Sequence, residues 1–286
     1  MHQPKNQDKG LTLREKIQSC ASWPDLIELF YPGRSFGIHR RNSGAPADLY
    51  QDPVLCRLYD ALHQEERANY LRGVVQELKP IVMNLSPRST VAEVGCGPGF
   101  IILGLASDPE IARLRLDFVG YDPSPEMISI ANEKRCASQE NTRISFFVGT
   151  TESIPAAHLL QKCSLLICRN VLSWIPYPES EFNSWSAALP PNAQVYLRDL
   201  RRDLPFAIAK QRILDCIQFQ FHRSLLSFPP ASMISSYLRA LNPDEVRTSL
   251  DAASLSYVEH EVQSGVPADA GRPDRVEMLF MVARKT

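Results

Sequence analysis

The stretch Val91-Ala92-Glu93-Val94-Gly95-Cys96-Gly97-Pro98-Gly99-Phe100 constrains the fold of this chain more than any other. An apolar run of strand length passes into a turn with glycine at every second position, and the apolar segment Ile101–Ala106 follows as a helix. Glycine belongs where backbone must turn sharply or lie against a ligand with no β-carbon between them. Strand, glycine turn and helix in that order open an α/β sheet, and such sheets bind ligands beyond the carboxyl ends of their strands. The spacing is acid-x-G-x-G-x-G, led by Glu93, and differs from the dinucleotide fingerprint G-x-G-x-x-G. No G-K-[ST] closes it, which excludes a phosphate-cradling P-loop.

Downstream, short apolar runs alternate with helical patterns. Thr90–Val94, Leu116–Tyr121, Ile144–Val148, Leu165–Cys168 and Gln194–Leu197 read as buried strands. Between the second and third, Ser124 suits a helix cap, Pro125 its first turn and Glu126 its dipole, with Met127, Ile130 and Ala131 as the apolar stripe. Such alternation implies right-handed crossovers and a parallel sheet covered on both faces. Asn242 to Glu245 has capping-box spacing and starts another helix. Ser256–Val262 and Glu277–Ala283 read as late strands, joined by the loop Gly265–Asp274 without a helix and therefore antiparallel.

Two regions lie outside that alternation. Residues 1–80 read as a helical N-terminal extension, with a Gly/Pro-rich loop from Tyr31 to Pro46 and an amphipathic helix carrying Leu71, Val74, Val75 and Leu78, which Pro80 should end or kink. Residues 81–286 form the ligand-binding domain, interrupted by a helical insertion over about 204–241. The formal net charge is -1, so nothing favours nucleic acid. No apolar stretch approaches the ~20 residues that cross a bilayer, and no leader segment is visible. The seven cysteines are scattered with no metal-ligand spacing, which suggests reduced thiols and a cytoplasmic setting, and no metal.

Glu93–Gly99, together with Asp122 at the end of the second strand, resembles the class I S-adenosylmethionine-dependent methyltransferases, over about Pro80 to Ala283. The resemblance implies a doubly wound α/β fold with a mostly parallel seven-stranded sheet of order 3-2-1-4-5-7-6, the last strand antiparallel. It implies S-adenosyl-L-methionine as cofactor, held by Glu93, Gly95, Cys96, Gly97 and Gly99, with Asp122 accepting from the ribose hydroxyls beside Tyr121 and Met127. Gly149 to Pro155 resembles the loop that touches the adenine, which points to Thr150, Thr151 and Glu152. Cys168 to Ile175 resembles the segment facing the methionine moiety, which points to Arg169 and Asn170. The adenine loop of the family commonly has Asp directly after its glycine, and here that residue is Thr150. Where the family often has a histidine after the fourth strand, this chain has Ser173.

The expected activity is in-line methyl transfer to a small-molecule acceptor. Its alternatives are a non-methylating S-adenosylmethionine-assisted reaction and a noncatalytic scaffold of the same fold. Alignment and exclusion of water are most of what such chemistry demands. Asp199, ending the fifth strand, is the base candidate on position, with His222 second. The acceptor side is expected from the two added regions, through Tyr31, Arg34 and His39 of the first and Tyr237 of the second, together with Trp174 and Arg198. In this reading the N-terminal extension is a lid.

Overall fold

The computed structural model describes residues 11–37, 48–65, 68–137, 143–149, 162–221, 230–262 and 278–285. At its centre is β1 (Thr90–Val94), buried at all of its residues. It pairs in parallel with β2 (Asp117–Asp122) on one side and β4 (Cys163–Arg169) on the other. Outside them lie β3 (Ile144–Val148) and β5 (Gln194–Leu200), also parallel, giving the order 3-2-1-4-5. The sheet continues from β5 into β7 (Met278–Lys285) and then β6 (Leu255–Val262), and β7 runs antiparallel to both. The switch of direction from β2 to β4 across β1 opens a crevice at the carboxyl edge, above the glycine turn.

One face of the sheet is covered by α4 (Ala68–Met83), α5 (Phe100–Ala106), α6 (Pro109–Ala112) and α7 (Pro125–Ala137). The other is covered by α8 (Pro178–Ala188) and α11 (Pro243–Ala252), where Trp185 and Phe182 pack on Ala92, Leu166 and Val195. Both capping expectations hold. The Met127 amide donates to Ser124 Oγ at 3.3 Å, and Asn242 and Glu245 exchange side-chain and backbone bonds at 2.9 Å. Pro80, however, neither ends its helix nor marks a boundary, for α4 runs through it to Met83. Val74 and Leu78 before it and Val82 after it are all buried against the sheet. Burying each side chain is worth about 1.5–3 kcal/mol, which offsets the missing amide.

A separate apolar cluster joins the beginning of the chain to its middle. Helices α1 (Leu13–Ser19) and α2 (Trp23–Phe30) are too short to persist alone, and each starts with a capping box, Thr12 with Glu15 and Ser22 with Asp25. They are held by burying Ile17, Leu26 and Ile27 against Ile213 of α9 (Phe206–Phe221) and Ile234 and Leu238 of α10 (Pro230–Arg239). Lys210 donates to the carbonyls of Gln18 and Cys20, satisfying orphan groups at the end of α1. Between α2 and α4 come a 3-10 turn, Asp48–Gln51, and α3 (Pro53–Glu65). No helix among the described residues is long and apolar enough to cross a membrane.

Candidate functional site

The three glycines of the first turn all adopt left-handed backbone, with φ of 64°, 51° and 77° at Gly95, Gly97 and Gly99. Their surroundings separate them. A β-carbon on Gly95 would meet Val171 at 2.3 Å, and one on Gly99 would meet Phe146 at 2.6 Å, so both are glycine because protein occupies the space. A β-carbon on Gly97 would meet nothing within 4 Å. That open ground above the turn is room for a ligand lying on the backbone. Cys96 is buried, with its sulfur turned toward Gly120, so only its main chain borders the crevice.

Two acids flank the turn. Asp122 Oδ2 accepts from the Gly97 amide and Oδ1 from the Ser124 amide, each at 2.9 Å. The carboxylate thus ties the β1 turn to the β2 turn, and each oxygen retains a second lone pair for a ligand hydroxyl. Burial pushes its carboxyl up, and the two amides pull it back. Glu93 is 3% exposed, and its Oε2 has no hydrogen-bond partner among the described residues. Burial pushes its carboxyl well above the ordinary range, while the Arg169 guanidinium and the Ile102 amide act against that. A buried carboxylate oxygen without a partner among the described residues suits a cationic donor, and S-adenosylmethionine carries an ammonium group. The residues present therefore fit that cofactor. Asn170, exposed and left-handed at φ 57°, ends β4 on the same edge. Tyr121 is buried and stacks on Phe147 at 5.7 Å, and its buried hydroxyl has no partner in the structure.

The segment after β4, residues 171–174, is held from two sides. The Asp199 carboxylate accepts from the amides of Leu172 at 2.6 Å and Leu200 at 2.7 Å, and from those of Val171 and Ser173. From α10, Arg239 Nε donates to the Ser173 carbonyl at 2.7 Å and its Nη2 to the Trp174 carbonyl at 3.2 Å. Asp199 is 2% exposed, and burial pushes its carboxyl up to about 6 despite those amides. The base expected at Asp199 is thereby corrected: its oxygens are engaged with backbone, and it fixes a loop.

Trp174, half-buried on that loop, meets Tyr50 edge-to-face at 5.2 Å, and Tyr50 meets Tyr59 at 5.6 Å. Cys56 of α3 donates to the Tyr50 carbonyl and, with Tyr50 and Tyr59, packs on Met127 and Ile130 of α7. Arg57 pairs with Glu126 and Glu133, and Asp60 with Lys134. The 48–65 segment therefore reaches from α7, after β2, to Trp174, after β4, and so passes over the β1 turn. Met127 is packed under it. Sequence reasoning missed Tyr50, because its importance lies in contacts with Met127, Ile130 and Trp174, 77 to 124 positions away.

Several acceptor-side expectations are corrected. Arg198 lies within the sheet face under α4, where it and Tyr196 bond Glu77. Its neighbours Arg201 and Arg202 pair with Asp203 and Glu245, so none of the three stands ready as an anion clamp. Tyr237 is 2% exposed in the second cluster, against Trp23 at 5.8 Å. Tyr31 packs edge-to-face on Phe36 in that cluster, and Arg34 is exposed beside it. His39, His222, Thr150, Thr151 and Glu152 lie outside the described residues.

Residues 63–244 match the model of a family described as a methyltransferase domain. No curated protein matches the sequence. Among solved structures, the plantazolicin methyltransferase BpumL, in complex with a pentazolic desmethylPZN analog and SAH, is similar at a TM-score of 0.61 and 16% identity, covering 85% of this chain and 96% of that one. A SAM-dependent methyltransferase from Aquifex aeolicus is similar at 0.52 and 14% identity, covering 82% of this chain and 99% of that one. The [4+2]-cyclase SpnF is similar at 0.52 and 16% identity, covering 73% and 80%. At such identities the likeness to these structures is one of fold.

Proposed function

Because the chain belongs to the methyltransferase-domain family, whose cofactor is S-adenosylmethionine, we propose that it catalyses in-line methyl transfer to a small-molecule acceptor. The observation that carries this reading is the open ground above Gly97, in a turn led by buried Glu93, whose Oε2 has no partner among the described residues. When bound, S-adenosylmethionine supplies an electrophilic methyl carbon on a sulfonium. Glu93 accepts from the ammonium group, with Arg169 and Asn170 bordering the same end. Asp122 offers its remaining lone pairs to the ribose hydroxyls, while the Gly97 backbone leaves space that any side chain would fill.

The chain's own part in the reaction is alignment and dryness. Asp199 and Arg239 fix the loop that carries Trp174, and the 48–65 segment, through Tyr50, covers the crevice. The 48–65 segment thus acts as the lid, the acceptor enters where Tyr50 meets Trp174, and residues 68–80 belong to the helix that covers the sheet. The shared fold of SpnF keeps a non-methylating reaction as the second reading.

Calorimetric titration of the full chain with S-adenosylmethionine, S-adenosylhomocysteine and NAD tests the cofactor site. Binding of the first two alone is expected, and tight binding of NAD alone would overturn the proposal. Release of S-adenosylhomocysteine on turnover separates methyl transfer from a reaction that leaves the cofactor intact.

A further inference from the structure

Arg239 stands where two parts of the molecule meet. It is the last residue of α10, whose Ile234, Tyr237 and Leu238 are buried with α1, α2 and α9 in the second cluster. Its own side chain, 3% exposed, leaves that cluster and bonds the carbonyls of Ser173 and Trp174. The amides of the same short loop are held from the opposite side by Asp199, which belongs to β5 and the sheet. The amides of Val171, Leu172 and Ser173 are thus held from the sheet and the carbonyls of Ser173 and Trp174 from the helical layer, all through backbone groups. Two carbonyls on one guanidinium define both the position and the tilt of the peptide planes that aim Trp174. The structure gives Trp174 a half-buried place facing Tyr50.

We propose that Arg239 is a positioning residue through which the α1–α2–α9–α10 layer sets the loop carrying Trp174, so that a disturbance of that layer reaches the acceptor side through its guanidinium. The role assigned to Trp174 rests on the function proposed above, whereas the mechanical linkage does not. A guanidinium spanning two carbonyls is a rigid joint, since neither bond can shift without the other. Asp199 makes the joint two-sided, because a loop held only by its amides could still pivot about the carboxylate.

The test is a double-mutant cycle on the ligand-free full chain, read by hydrogen exchange of the amides at 171–174. Arg239→Ala is expected to speed their exchange by about tenfold while leaving β1 amides as protected as before. Arg239→Lys, which keeps one charged donor, is expected to restore most of the protection. Trp23→Ala disturbs the helical layer at its contacts with Phe206 and Tyr237, remote from the loop. It should loosen 171–174 in the wild-type background and have a smaller effect in Arg239→Ala. Unchanged exchange in Arg239→Ala, or equal effects of Trp23→Ala in both backgrounds, would overturn the linkage. If Arg239→Ala does not fold, Arg239→Met, which keeps an apolar stem and loses every donor, takes its place in the cycle under the same criteria. Calorimetry with S-adenosylhomocysteine on the same proteins keeps the two proposals apart. Failure of the wild type to bind sinks the methyltransferase reading, and the exchange cycle stands or falls by itself.

Discussion

Replacing Gly97 and Gly99 by alanine, one at a time, separates a glycine kept for a ligand from one kept for packing. Both hold left-handed backbone, at φ of 51° and 77°, so both substitutions carry the steric cost of that region, about 1–2 kcal/mol. A stiffer unfolded chain returns about 0.4–1 kcal/mol of it, leaving a net loss of about 1 kcal/mol for each. At Gly97 nothing is added, because the new methyl group points into open space. At Gly99 the methyl group would sit 2.6 Å from Phe146 Cζ and 3.2 Å from Ala131 Cβ, and overpacking of that kind costs about 1–3 kcal/mol more. Thermal unfolding should therefore lower the melting temperature by a few degrees for Gly97→Ala, at about 2–4 °C per kcal/mol, and two to four times as much for Gly99→Ala. Affinity for S-adenosylhomocysteine should move the other way. Gly97→Ala is expected to lose more than about tenfold, or ~1.4 kcal/mol, since its methyl group takes ligand space. Binding that survives Gly97→Ala unchanged, or equal destabilisation by the two variants, would refute this division of the turn.

Glu93→Gln should leave the ligand-free chain as stable as before or more so, because burial already opposes the charge of that carboxyl, while S-adenosylhomocysteine raises the melting temperature less than in the wild type; a full ligand-induced shift in the variant would remove Glu93 from the site. Asp199, with its carboxyl raised to about 6 in the folded protein against 3.8 ordinarily, takes up a proton more readily folded than unfolded between those values. Its contribution to stability therefore falls as pH rises from about 4 to about 6, by about 3 kcal/mol at most, and stays at the lower level above that. Urea unfolding of wild type and Asp199→Asn at pH 4.5 and 7 should show the wild type's advantage shrinking toward pH 7, and a constant difference would contradict the assignment.

What the sequence disclosed and what it withheld divide along a physical line. The β1 turn, the five parallel strands and the caps at Ser124 and Asn242 rest on neighbours a few residues apart, and such patterns are written locally. Even the second-strand boundary moved by only one residue, from Leu116–Tyr121 to Asp117–Asp122. Side-chain employment across the fold is not written locally. Arg198 and Glu77 are 121 positions apart, and nothing near Arg198 announces that a helix from the far side of the sheet will claim it. Asp199 has the position of a base, yet its oxygens meet amides that curl back from the end of β4. Pro80 is a strong local stop, overridden by apolar burial on either side of it. Tyr50 stands in a short polar stretch and matters only because Trp174, 124 positions later, comes to face it.

The pairing of α1 and α2 with α9 and α10 has a consequence for how the chain is made. Lys210 lies 190 residues beyond Cys20, whose carbonyl it bonds. At about 5–20 residues per second, a ribosome needs roughly 10–40 s to deliver α9 after α1 has emerged. Through that interval Ile17, Leu26 and Ile27 have no partner layer, while β1, β2, β3 and β4 are synthesised and can begin to assemble. Helices α1 and α2 are thus made well before the layer that buries them, and their apolar faces stay exposed on the nascent chain in the meantime.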